Sequence, residues 1–275
     1  MVPNTNTFSL QDVVNEIIPT TNDLASCIAD ANASFYDPSY YTAPATSLLE
    51  FRNYGAISVF PTVSNTSGGI NNVGGFGGFA DITIGASDTI AMIFISAYSN
   101  LGTVSVTDDK GVTWSLYGTP SSKQAIYYTS DLATTGVRRI TYSLSGTFYS
   151  AHLAATFINS ANKPSGTFIT NSSTSSTSVS QSFTPVVATP SLILSIYFSY
   201  RGGEVGSVSE LDPTSYGTGQ VFIDSEGADG SGGPPDFVTT LTKEEKTSTS
   251  ADTQLFTNLI TNDNKFIMSV GLNGI

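Results

Sequence analysis

The sequence predicts an antiparallel β-sandwich or jelly roll with a small α-helical segment in front of it. Two observations predict it. From Asp88 to Asn159 the chain is a succession of apolar or alternating runs rich in Val, Ile, Thr, Tyr and Phe. Each run is closed by Gly, Asn, Asp or Ser, as strands are, at the short spacing of sandwich and jelly-roll folds. Charged residues make up only 12%, about half the usual share, which leaves a surface of Ser, Thr, Asn and Gly. The 275 residues suffice for one large β domain or two smaller domains; the reading taken is a single jelly roll at residues 56–275 behind a helical assembly segment at 1–55.

Residues 1–55 read as helices. Ser9 is a good N-cap, with Asp12 three residues on. Leu10, Val13, Val14, Ile17 and Ile18 then fall on one helical face, and Pro19 ends it. Thr21, Asn22 and Asp23 offer a second cap. Leu24, Cys27, Ile28, Ala31 and Phe35 form the next stripe, closed at Asp37-Pro38. A short third segment, Ser47 to Tyr54, stops at Gly55. Helices this short are unstable alone, so their stripes must be buried against one another, the β domain or another subunit. An assembly role makes Leu10, Val13, Val14, Ile17, Leu24, Ile28, Phe51, Arg52 and Tyr54 the candidate anchoring residues.

The β region follows. Val63 to Phe79, rich in Gly and Asn, reads as a flexible loop. Asp108-Asp109-Lys110-Gly111 is a turn with Gly111 free to take positive φ. Trp114, placed on the strand after it, reads as a core anchor. Thr89–Tyr98 and Ser191–Tyr200 echo each other as near-continuous apolar runs. They read as paired central strands of two halves, covered on both faces. Asn171 to Phe183 reads as one exposed strand, Arg201 to Pro235 as irregular, and Asp252–Ile260 and Lys265–Leu272 as closing strands around a turn at Asn262–Asn264.

Function classes can be narrowed. The net charge is −12, with ten Lys and Arg in all, so phosphate neutralisation on nucleic acid is not expected. Cys27 is the only cysteine, which excludes an internal disulfide and a cysteine zinc site. No Lys or Arg precedes an apolar run at the N-terminus, and no apolar run reaches about 18 residues, so neither a Sec-type signal nor membrane insertion is expected. His152 is the only histidine and no G-x-S-x-G elbow accompanies it. Paired carboxylates for glycoside hydrolysis cannot be discerned, so an enzyme is not expected, nor any cofactor. Asp224 to Asp229 gathers oxygen ligands but lacks the EF-hand order, so solvated loop is favoured over a calcium site.

Two stretches resemble known families. Ser9 to Gly55 carries SLQDVVNEI, C-x-x-D-A-N, F-x-D-P-x-Y and LL-x-F-R-N-Y-G. It is similar to N-terminal attachment segments of bacteriophage structural proteins. Val106 to Trp114 fits V-T-D-x-x-G-x-T-W, and with the Tyr-bearing strand after it resembles jelly-roll domains of phage and bacterial surface proteins. The resemblance implies a non-enzymatic virion protein, a capsid spike or a head or tail fibre. It would dock on other virion proteins through its helices as a homo-oligomer, a trimer rather than a pentamer, and turn its β domain to the host surface. The alternative is a free carbohydrate-binding or adhesive module, with Tyr98, Tyr149, Tyr200 and Tyr216 as a platform for a host-surface glycan.

Overall fold

The computed structural model describes residues 2, 7–17, 21–31, 46–52, 60–71, 76–98, 100–146, 149–160, 164–174, 176–184, 191–201, 208–228, 236–246, 250–259, 261 and 264–274. The chain divides into two compact units, Met1–Val59 and Phe60–Ile275. Among the described residues no helix is long and apolar enough to cross a membrane.

In the first unit α1 spans Leu10–Ile17, α2 spans Leu24–Asp30, and a 3-10 turn covers Leu48–Phe51. Ser9 and Asp12 cap α1 reciprocally. Ser9 N–H donates to Asp12 Oδ2 at 2.6 Å, and Asp12 N–H donates to Ser9 Oγ at 3.3 Å. Asp23 caps α2 by accepting from Ser26 N–H at 2.9 Å. Helix α2 stops sooner than its stripe suggests, because Ala31 is already extended, with ψ 137°. Ile18, Pro19, Phe35, Asp37-Pro38 and Tyr54 lie outside the described residues.

The described residues of the second unit form sixteen antiparallel strands. The first eight are β1 (Thr62–Asn71), β2 (Gly77–Ile84), β3 (Asp88–Ala97), β4 (Val104–Asp108), β5 (Ser115–Ser121), β6 (Gln124–Thr129), β7 (Gly136–Leu144) and β8 (Ser150–Ile158). The second eight are β9 (Ser165–Ser173), β10 (Ser178–Phe183), β11 (Ser191–Arg201), β12 (Ser215–Tyr216), β13 (Val221–Ala228), β14 (Asp236–Lys246), β15 (Asp252–Thr257) and β16 (Asn264–Asn273). The first set builds sheets ordered β1-β8-β3-β6-β5 and β2-β7-β4. The second builds β9-β16-β11-β14-β13 and β10-β15-β12. Adding eight to each number in the first set gives the second, pairing for pairing. In both, the first strand pairs with the eighth, the second with the seventh and the third with the sixth, the nested pairing of a rolled-up hairpin, which is a jelly roll. The fourth nested pair is missing from each, because β5 and β13 attach to β6 and β14 instead.

The antiparallel sandwich class therefore holds, but 56–275 contains two jelly rolls where the sequence suggests one. They stack through their five-stranded sheets. Ile90, Met92, Phe94, Leu153 and Phe157 of one sheet meet Leu192, Leu194, Ile196, Met268 and Leu272 of the other. Strand β1 lies against β13 and β5 against β9, so each roll presents corresponding strands to the other about a pseudo-two-fold axis, as an isologous dimer does. Four layers result. Each five-stranded sheet is covered on both faces, which explains the continuous apolar runs of β3 and β11. These two strands are not hydrogen-bonded to each other. They hold the same central place in separate sheets.

Other expectations are corrected. The glycine-rich stretch is largely strand: β1 contains Gly68 and Gly69 because neighbouring side chains leave no room for a Cβ. A Cβ on Gly68 would lie 2.1 Å from Glu226 Cγ, and one on Gly69 would lie 2.8 Å from His152 Cε1. Asn171–Phe183 contains the end of β9 and all of β10, not one strand. The segment read as irregular holds β12 and β13. The closing strands β15 and β16 are as expected; Asn262 and Asp263 of the turn between them lie outside the described residues.

Candidate functional site

The helical unit holds the predicted anchoring residues, and its stripes bury chiefly against one another. Val13, Val14 and Phe51 are buried, with Val2 and Cys27, in a small core of its own, and Leu10, Ile17, Leu24, Ile28 and Leu48 pack around it half-buried. Arg52 is half-buried; Tyr54 is among the residues not described. A side chain enclosed in that core cannot also meet a partner. Among the described residues of this unit, the apolar surface left for a docking contact is the half-buried rim and Leu49, which is 61% exposed.

Asp108 organises the V-T-D-x-x-G-x-T-W stretch. Its Oδ1 accepts from Lys110 N–H at 3.0 Å and from Val112 N–H at 2.9 Å, and its Oδ2 accepts from Trp114 Nε1–H at 3.1 Å. The Arg138 guanidinium, fully buried, lies 3.4 Å from the same Oδ2 and also donates to the carbonyls of Asp131 and Thr134. Gly111 takes φ +73°, as the turn requires. The turn is no hairpin: β4 belongs to the three-stranded sheet and β5 to the five-stranded one. Trp114 sits just before β5, not on it, and plugs the core between the two sheets of the first roll. This motif is structural.

Three of the four platform tyrosines come together: Tyr98 and Tyr149, half-buried, and Tyr200, buried, join Phe198, Phe237 and Phe266 in a cluster. Lys123 lies over the Tyr200 ring at 4.5 Å and donates to its hydroxyl at 2.8 Å. Tyr216 stands apart, in a small cleft of about 230 Å³ with Phe222, Asp212 and Ser225. Burial pushes the Asp212 carboxyl up against the lowering effect of the Ser225 hydroxyl. Asp224 and Glu226 lie on β13, and Asp229 is outside the described residues. Among the described residues no three His, Cys, Asp or Glu side chains come together as metal ligands.

His152, on β8, is 2% exposed. Its Nδ1 lies 3.2 Å from the Tyr142 hydroxyl, which in turn lies 2.9 Å from Ser150 Oγ. Burial brings the imidazole down to about 4, against a weak opposing effect of the Phe79 carbonyl, and pushes the Tyr142 hydroxyl up to about 12. No hydrogen bond of good geometry reaches His152 Nε2. The folded protein thus binds the His152 proton more weakly than the unfolded chain, whose histidine titrates near 6.5. Stability is full above about pH 6.5 and falls as pH drops through that value toward 4, by about 3 kcal/mol in all. Urea unfolding at pH 7.5 and pH 4.5 should show this loss in the wild type, and most of it should vanish in His152→Gln.

The second roll carries a buried polar network where the first has hydrocarbon. Ser195 Oγ donates to Gln254 Oε1 at 2.8 Å and lies 2.6 Å from Ser269 Oγ, to which Gln181 also donates. Gln254 donates to Glu244, which pairs with Lys246 at 3.3 Å. Burial raises the Glu244 carboxyl. Sequence reasoning missed this network; the only signal was Ser191, Ser195 and Ser199 at four-residue spacing inside an apolar strand.

No protein-family model, no curated protein and no solved structure matches the chain.

Proposed function

We propose that the chain is a non-enzymatic structural protein of a bacteriophage particle, a capsid spike or fibre. The helical unit docks on other virion proteins and holds the chains together as a homo-oligomer, a trimer rather than a pentamer. The β unit faces outward for host-surface contact. The observation that carries this reading is the division of labour in the chain. A small helical unit keeps a core of its own and leaves Leu49 exposed. The β unit is a double jelly roll whose sheets pack apolar faces on one another, with side chains such as Val137 and Leu259 left exposed. Jelly rolls recur in capsids and lectins, where loops and edges vary on a rigid body. A surface poor in charge and rich in hydroxyl and amide side chains is consistent with display outside a cell.

Particles purified by density gradient from the source culture test this directly. Quantitative mass spectrometry should find the chain at a fixed ratio to the major coat protein, retained through a high-salt wash. Its absence from washed particles would defeat the proposal. In that case the second reading, a free carbohydrate-binding module, takes over, and the observation favouring it is the cleft at His152.

A further inference from the structure

We propose that the first jelly roll binds a neutral sugar in the cleft between the edges of its two sheets. The cleft, about 420 Å³, is lined by Gly68, Gly69 and Ile70 of β1, Gly77, Gly78 and Phe79 of β2, and His152 of β8. That volume lies in the range of small-ligand sites. The inference deepens the host-surface contact proposed above.

Gly69 and Gly78 let β1 and β2 lie directly on the His152 and Tyr142 side chains, since a Cβ on Gly69 would stand 3.0 Å from His152 Nε2 and one on Gly78 2.8 Å from the Tyr142 hydroxyl oxygen. The Phe79 carbonyl acts on the ring, but no hydrogen bond of good geometry reaches Nε2, on a residue 2% exposed. A buried polar atom left in that state is costly unless something completes it.

The chemistry of the lining selects the ligand. Among the described residues no charged side chain lines the cleft. The nearest ion pair, Arg139 with Asp81 at 2.7 Å, satisfies itself beside Phe79, and Glu226 packs on Gly68, whose side-chain position lies on the opposite face of β1 from that of Gly69. An anionic ligand would therefore enter without a counter-charge. The hydroxyl chain from Ser150 through Tyr142 allows the proton on either nitrogen of the neutral His152 ring. A sugar hydroxyl both donates and accepts, so it serves either tautomer. Phe79 at 53% exposure supplies an aromatic surface for the C–H face of the ring, and Arg139 backs it at 4.4 Å from the ring centre.

The chain has one histidine, so its imidazole nitrogens give an unambiguous NMR signal. The full chain, labelled with nitrogen-15, is titrated with maltotriose, cellotriose and the trimer of N-acetylglucosamine, and with sialyllactose as the acidic probe. At least one neutral trisaccharide should move the Nε2 resonance saturably. Phe79→Ala, an exposed change that leaves the fold intact, should weaken that binding roughly tenfold. Gly69→Val should abolish it; if that variant fails to fold, Phe79→Ala still decides. The proposal is overturned if no neutral trisaccharide moves Nε2, if Phe79→Ala binds like wild type, or if sialyllactose binds more tightly. Particle association depends on none of these outcomes, so the two proposals fail separately.

Discussion

Asp108→Ala is expected to cost about 3–5 kcal/mol, the range for breaking a buried ion pair on one side. The change removes one carboxylate and strands four partners. Arg138, fully buried, keeps its charge and loses its counter-ion. The Trp114 indole N–H and the Lys110 and Val112 amides lose their acceptor, and an unsatisfied buried donor costs about 1–3 kcal/mol. Lys110→Ala removes only an exposed ion pair with Asp109 and should change stability by under about 1 kcal/mol. Urea unfolding followed by Trp114 fluorescence measures both. Equal, small losses for the two variants would mean that Asp108 does not hold the corner together.

Leu194→Asp should destabilise the β unit by more than about 4 kcal/mol, because it puts an unpaired carboxylate among hydrocarbon. Leu194 lies on β11, fully buried between the two five-stranded sheets. The informative probe is again Trp114. It is the only tryptophan in the chain, and it belongs to the first roll, while Leu194 belongs to the second. If the rolls share one core, the Trp114 melting transition should fall by roughly 10 °C or more. An unchanged Trp114 transition beside a collapsed second roll would show two bodies that fold independently, and the shared apolar layer would carry no cooperativity.

The sequence made the fold class legible because sandwich strands alternate and end in turn residues. The alternation survives in β2, β7 and β10, each with one face inward. The repeated topology shows in the sequence at one place, the likeness of β3 to β11. Both strands are covered on both faces, so both are held apolar throughout. The outer strands of the two rolls lack such a constraint. Strand β1 was hidden because its glycines look like a linker, and only the neighbours Glu226 and His152 reveal that they are packing positions. Strand β14 was hidden by its polar Thr and Glu residues, which are buried through partners remote in sequence: Thr242 bonds to Gln220 and Glu244 to Gln254. The helical stripes were legible, but their destination was not. A stripe shows that a face is buried, and the tertiary fold decides against what.

If the helical unit joins the chains, as proposed, removing it should separate them. Light scattering gives the absolute mass of the full chain and of Phe60–Ile275, which contains both jelly rolls complete. The full chain should be an oligomer, with a trimer expected, and Phe60–Ile275 a monomer. Leu49→Asp in the full chain should shift the mass toward the monomer without loss of helix signal. Equal association states for the full chain and Phe60–Ile275 would overturn the helical assembly role, and would place any assembly surface on the β unit.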